Sequence, residues 1–151
     1  MSHKDQERNI GEIFIEEYNL CNNSKFRLDE KYLTTRDEND FPDLKFINHH
    51  EIYAEVVRAT SPEFEKRTDC KCQDLELIEV SPQSEIFIAI RKKDKKHYDK
   101  AADIILIVHL PFYSNGLDVQ PLVTLVKNRG YNFKEIWAVW EDRLKNPTKL
   151  A

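Results

Sequence analysis

One aliphatic run constrains the fold more than any other segment of the chain. From Asp103 to Leu110 the sequence is almost continuously aliphatic, with polar residues before it and Pro111 directly after it. Such a run is typical of a strand whose side chains are buried on both faces of a sheet. It is too short to cross a membrane as a helix, which takes about 20 apolar residues. The segment therefore predicts a central, covered strand.

Three helices are expected around this strand. Apolar residues at helical spacing predict an amphipathic helix over Asn9–Cys21. Ser81 followed by Pro82 is a typical helix start, and the helix is predicted to run to about Ala102. Asp118 is expected to cap a third helix, which Gly130 would end.

The remaining apolar segments predict further strands. Asp43–Ile47 and Ile52–Ala59 are short runs rich in apolar and β-branched residues, and the four polar residues between them indicate a hairpin. Phe26–Leu33 is a weaker strand prediction, followed by a charged connection over Thr34–Asp40. Lys134–Glu141 is predicted as the last strand.

Three stretches are predicted to lack regular structure or are ambiguous. Thr60–Asp74 has prolines, charges and no periodicity, which predicts a loop, and Leu75–Val80 is either a short strand or an extended approach. Asp142–Ala151 is expected to be a surface tail. The order of elements predicts a single α/β domain over residues 1–151, with a mixed central β-sheet flanked by helices.

Composition limits the functional classes. The net charge of -4 and the pI of about 5.8 argue against binding of nucleic acid through bulk positive charge, although a nuclease needs only a local basic patch. The chain has 3 glycines, which argues against a glycine-rich phosphate loop, and 3 cysteines, which argues against a disulfide framework. Its polar start has no secretory signal, so we expect a cytoplasmic protein without a membrane span.

Two carboxylates of the predicted hairpin could meet. Asp43 lies at the start of one strand and Glu55 within the next, and adjacent strands can bring them together. Two carboxylates packed together repel unless a cation lies between them, and Mg²⁺ and Mn²⁺ prefer such oxygen ligands. A site of this kind could activate water against a phosphodiester. The alternative is a pair of solvated acids at strand edges.

The sequence Pro42-Asp43, followed after a hairpin by Glu55-Val56-Val57, resembles the PD-(D/E)XK, restriction-endonuclease-like nuclease superfamily. The resemblance covers Ile10–Trp140 and implies the element order αβββαβαβ. It further implies metal-dependent cleavage of DNA, with Asp43 and Glu55 as ligands of Mg²⁺ or Mn²⁺. Many members of the superfamily act as dimers, and this chain is too small to enclose a duplex alone, so a homodimer is predicted.

The chain departs from the superfamily at one position of the motif. The lysine that normally follows two residues after the glutamate is Val57, which can neither orient water nor stabilise developing charge. Some members carry this lysine on another element. Lys93 is the first candidate, because it lies on the apolar face of the helix that follows the motif. Lys45 is the second, because it shares the face of Asp43.

Glu17 is a further candidate, because some members of the superfamily add an acid from the N-terminal helix to the metal site. Its alternative is a residue at the edge of the apolar stripe. Two functions stay open. One is a Mg²⁺-dependent DNA endonuclease that uses Asp43, Glu55 and a substitute lysine. The other is a catalytically inactive, nuclease-derived module that binds nucleic acid or a protein partner, which Val57 favours.

Overall fold

The computed structural model describes residues 3–37, 42–59, 82–94, 101–110, 119–143 and 145–151. In chain order the elements are α1 (His3–Asn22), β1 (Arg27–Leu28), α2 (Glu30–Thr35), β2 (Leu44–Ile47), β3 (Glu51–Arg58), α3 (Pro82–Asp94), a 3₁₀ turn (Ala101–Asp103), β4 (Ile104–Leu110), α4 (Gln120–Arg129), β5 (Glu135–Trp140) and β6 (Thr148–Lys149).

Within the described residues six strands form one open sheet in the order β1-β2-β3-β4-β5-β6. The first three strands are antiparallel neighbours, β3, β4 and β5 are parallel, and β6 returns antiparallel to β5. Parallel neighbours need crossover connections, and α3 and α4 lie in those connections. The predicted mixed sheet flanked by helices is therefore confirmed.

The sheet is covered on both faces, and alternate residues of β4 divide between two apolar clusters. All seven residues of β4 are buried, as the aliphatic run predicts. The α1 face includes Ile10, Phe14, Phe46, Ile105 and Trp137. The opposite face, under α3 and α4, includes Ile86, Ile90, Leu106, Leu122 and Trp140.

A glycine lets α1 lie close to the sheet. A Cβ atom at Gly11 would stand 3.0 Å from Leu44 Cδ1, which is tighter than ordinary packing. The absence of that atom brings the first turns of α1 onto β2. This approach matters for the site, because Glu7 lies one turn before Gly11 and is buried.

The predicted strand Phe26–Leu33 is wrong over most of its length. Only Arg27 and Leu28 are in a strand, and α2 begins at Glu30. Asp29 is the cause, since its side chain accepts a hydrogen bond from the backbone N–H of Tyr32 and so caps the helix.

The prediction of a surface tail over Asp142–Ala151 is wrong at the end of that segment. Thr148 and Lys149 form β6, and Leu150 is fully buried while its N–H donates to the carbonyl of Ile136. The N-cap of α4 is Val119 rather than Asp118, which lies outside the described residues.

Some predictions on connections are not tested or change in detail. The predicted loop 60–74 and the segment 75–80 lie outside the described residues. The helix that begins at Pro82 is described to Asp94, and the 3₁₀ turn replaces the α-helix predicted at its end. None of the helices in the described ranges combines the length and apolar character that crossing a membrane requires.

Stability should depend on β4 far more than on the exposed side of α4. Leu106 is fully buried, so Leu106→Ala should lower the free energy of unfolding by ~2–5 kcal/mol through lost burial and a cavity. Leu125 is 49% exposed, and Leu125→Ala should change it by less than about 0.5 kcal/mol. Urea unfolding followed by circular dichroism measures both, and equal losses would contradict a core centred on β4.

Candidate active site

The register of the hairpin brings Asp43 to Glu55. Leu44 pairs with Ala54, so the next residues outward, Asp43 and Glu55, stand opposite each other. The Asp43 backbone N–H donates to Glu55 Oε1 at 3.1 Å, and the Val56 N–H donates to Asp43 Oδ2 at 2.9 Å. Each carboxylate is thus held by the backbone of the other strand segment, and both stand at one point of the sheet.

Lys93 reaches this point from α3. Its Nζ lies 3.1 Å from Glu55 Oε2, and the side chains of Lys93 and Glu55 are 15% and 6% exposed. Val57, two residues after Glu55, packs instead into the apolar cluster beneath α3. Lys93 of the crossover helix α3 therefore contacts Glu55, although the lysine expected at position 57 is absent.

Arg36 and Glu7 complete the cluster on its other side. Arg36 Nη2 lies 2.9 Å from both carboxylate oxygens of Glu7 and 3.1 Å from Asp43 Oδ1. The Arg36 and Glu7 side chains are 4% and 3% exposed. The acid cluster, as we call Glu7, Asp43 and Glu55 together, therefore lies between two cations, Arg36 and Lys93, with Glu7 and Glu55 buried and Asp43 half-buried.

The pKa values of two members of the acid cluster reflect this burial. Desolvation, followed by the charge of Asp43, raises the pKa of Glu7 to about 7 against the opposing effect of Arg36. Desolvation, followed by hydrogen bonding with Asp43 and its charge, raises the pKa of Glu55 to about 8 against the opposing effect of Lys93. Among the described residues three carboxylates face two cations, so the group carries one negative charge in excess when all three acids are ionised.

Carboxylate oxygens are the ligands that Mg²⁺ and Mn²⁺ prefer, so the acid cluster fits these ions in its donor chemistry. The arrangement is closed, however, because all four side-chain oxygens of Asp43 and Glu55 accept hydrogen bonds from protein groups. No group of three or more His, Cys, Asp or Glu side chains within the described ranges is set out to hold a metal. An ion would have to share these oxygens or displace their present donors.

The structure does not bring Lys45 and Glu17 to the acid cluster. Lys45 Nζ lies 3.1 Å from Glu51 and 3.7 Å from Asp29, because its long side chain turns toward the other end of the hairpin. Glu17 accepts a weak hydrogen bond from the Cys21 thiol at 3.7 Å. It follows Glu7 by ten residues, or about 15 Å along α1. Neither side chain therefore lies at the acid cluster, to which α1 contributes Glu7.

A signal for Glu7 was present in the sequence, whereas none pointed to Arg36. Glu7, Ile10 and Phe14 share one helical face at spacings of three and four, so Glu7 continues the apolar stripe of α1. An acid on such a stripe has to find a partner when the helix packs. Arg36 follows α2 in a predicted connection, where no periodicity marks a buried residue.

A second buried polar pair lies at the end of β4. His109 Nε2 is 2.6 Å from Glu141 Oε2, and His109 is 5% exposed. Burial lowers the pKa of His109, against the opposing hydrogen bond with Glu141. The contact gives the buried imidazole a hydrogen-bonding partner.

Neither a family model nor a curated protein nor a solved structure matches this chain. The fold and the site define a mixed α/β protein with a buried acid cluster that is contacted by a lysine on one side and an arginine on the other. Its activity therefore has to be argued from these residues.

The raised pKa values predict how the free energy of unfolding depends on pH in a buffer that contains a metal chelator. An unfolded Glu titrates near 4.5, so between pH 4.5 and about 8 the folded chain binds more protons than the unfolded chain. The free energy of unfolding should therefore fall as pH rises through this window. The slope approaches about 1.4 kcal/mol per pH unit for each extra bound proton.

Urea unfolding at a series of pH values measures this slope. Glu55→Gln should flatten it up to about pH 8, because the proton that Glu55 would release is no longer there. Glu12→Gln, an exposed glutamate of α1, is the matched control and should leave the slope unchanged. If the stability of the wild type stays constant or rises from pH 5 to 8, the pKa values of Glu7 and Glu55 are not raised by folding.

Proposed function

We propose that this chain is a metal-dependent nuclease that hydrolyses phosphodiester bonds of DNA at the acid cluster. The observation that carries the proposal is the contact of Lys93 Nζ with Glu55 Oε2 at 3.1 Å, beside an Asp43 whose N–H donates to the same carboxylate. Residues from β2, β3 and α3 thus bring two acids and one cation together. The resemblance to the PD-(D/E)XK superfamily uses the same three elements.

The order of elements also supports this assignment. Without α2 and β6, the chain runs α1, β1, β2, β3, α3, β4, α4, β5, which is the order that the resemblance implies. The sheet places β3 beside β4, so the strand with Glu55 adjoins the buried central strand. A rigid, covered sheet is a suitable base for residues that have to hold a reacting group in place.

Each side chain has a separate role in the proposed reaction. Asp43 and Glu55 would hold Mg²⁺ or Mn²⁺ through their oxygens, and the bound ion would lower the pKa of water and neutralise charge on the phosphate. Lys93 has three N–H donors, so it can keep its contact with Glu55 while it donates to a phosphate oxygen. Its positive charge would stabilise the negative charge that develops in the transition state.

Exposed basic residues next to the site support DNA as the substrate. Arg91 and Lys92 directly precede Lys93 on α3, and both are exposed. Contacts with the phosphate backbone position a nuclease without specifying a base sequence. We include a homodimer in the proposal, since one chain of this size does not enclose a duplex.

A second function is favoured by a different observation. Every side-chain oxygen of Asp43 and Glu55 already accepts a hydrogen bond from the protein, and Val57 replaces the lysine of the motif. A site closed in this way is expected in a nuclease-derived module that no longer binds metal and serves only to bind nucleic acid or a protein.

Metal binding separates the two functions. Wild-type protein titrated with Mg²⁺ or Mn²⁺ in a calorimeter should bind one ion, and Asp43→Asn should weaken binding by about tenfold or more, because a charged ligand is lost. Asp103→Asn, an exposed acid outside the site, is the matched control and should bind as wild type does. Absence of binding to the wild type would reject the enzyme and favour the module.

Lys93 and its exposed neighbour provide a matched pair for activity. Lys93→Met should slow cleavage of plasmid DNA in Mg²⁺ by about 10²- to 10³-fold, the usual effect of removing one donor that stabilises transition-state charge. Lys92→Met removes the same charge from the exposed side of α3 and should lose only a few-fold. Lys45→Ala should cleave as wild type does, because Lys45 pairs with Glu51 and Asp29.

Equal losses in the two methionine variants would limit Lys93 to general phosphate attraction. Loss of cleavage in Lys45→Ala with retention in Lys93→Met would restore Lys45 as the substitute lysine and contradict the role given to Lys93.

A further inference from the structure

Arg36 has no role in the proposed reaction, yet it is the most completely enclosed cation of the acid cluster. Its Nη2 atom lies at 2.9, 2.9 and 3.1 Å from three carboxylate oxygens, two of Glu7 and one of Asp43. Only 4% of the Arg36 side chain is exposed. A cation that contacts three carboxylate oxygens, one of them on the proposed metal ligand Asp43, competes for the same charge as a metal ion would.

We propose that Arg36 is a built-in counter-ion that competes with the divalent metal for Asp43, so that metal binding and the contact of Arg36 with Asp43 exclude each other. The inference rests on the proposed function, because it concerns how that same acid cluster takes up its ion. It gives Arg36 the role of a positioning residue that holds the carboxylates together when no metal is bound.

The charges of the cluster explain why such a counter-ion is needed. Glu7 and Asp43 both contact Nη2 of Arg36, and two enclosed carboxylates without a cation repel and lose hydration. Arg36 offsets this repulsion with one positive charge. A divalent ion brings two positive charges to the carboxylate of Asp43 at a shorter distance than the guanidinium does, so it can replace Arg36 there.

The exchange has a consequence for affinity. The metal gains its carboxylate ligands only after the contact of Arg36 with Asp43 has been broken, and this step reduces the apparent affinity. Lys93 is bound differently, since it contacts Glu55 from the opposite side through one oxygen. Loss of the Arg36 charge should therefore strengthen metal binding, whereas removal of a residue that merely supports the fold would weaken it.

The test compares Arg36→Gln with Arg36→Lys in Mn²⁺ and Mg²⁺ calorimetry at one pH. Arg36→Gln should raise the affinity by at least about tenfold, because the competing charge is gone. Arg36→Lys keeps the charge and should stay within about threefold of wild type. Unchanged or weaker binding in Arg36→Gln, or equal effects of the two substitutions, would overturn the inference.

A measurement on the wild type covers the case in which the variants fail to fold. Side-chain NMR signals of ¹⁵N-labelled arginine should show the Arg36 guanidinium held in the metal-free protein and released on addition of Mg²⁺. Metal binding with unchanged Arg36 signals would overturn the inference and leave the proposed function standing. If neither the wild type nor Arg36→Gln binds metal, both proposals are overturned. Binding by Arg36→Gln alone would support the competition but reject the wild type as a metal-dependent enzyme.

Discussion

Glu7, Asp43 and Glu55 are three carboxylates with little access to water, and their mutual repulsion is the constraint on which the site depends. Carboxylates removed from water need cations or hydrogen-bond donors, and the chain supplies both. Arg36 binds two of the acids from one side, Lys93 binds the third from the other, and two backbone N–H groups fill the remaining positions. These described partners do not fully offset the cost of burial, since burial and the nearby Asp43 still leave the pKa values of Glu7 and Glu55 raised. A divalent ion at this position would offset the remaining negative charge of the carboxylates.

The fold explains how residues far apart in the chain meet at this point. The hairpin places Asp43 opposite Glu55, and the crossover through α3 returns Lys93 to the same face of the sheet. Gly11 lets α1 approach β2, which carries Glu7 toward Arg36. The apolar clusters on the two faces hold these elements, so packing fixes the geometry of the charges. Such support from rigid elements distinguishes an organised site from a chance meeting of surface acids.

Much of this arrangement follows from local sequence patterns. Strand alternation and hairpin spacing were sufficient to bring Asp43 to Glu55, and the apolar face of α3 was sufficient to point Lys93 toward the sheet. What could not be predicted depends on partners distant in the chain. Arg36 could not be recognised without its partners Glu7 and Asp43. Strand β6 is two residues long and depends on its pairing with β5. Helix α2 begins where the Asp29 side chain caps it. Lys45 and Glu17 were misplaced because sharing a face does not determine which partner a long side chain chooses.

In the proposed mechanism the acid cluster binds a divalent metal in exchange for Arg36. A crystal grown with Mn²⁺ tests it most directly, because the anomalous scattering of manganese locates the ion without assumption. We expect an anomalous peak in contact with oxygens of Asp43 and Glu55, with the Arg36 guanidinium moved away from Asp43. An empty cluster, with Arg36 still bound to Asp43 and Glu7 and Lys93 still bound to Glu55, would contradict it.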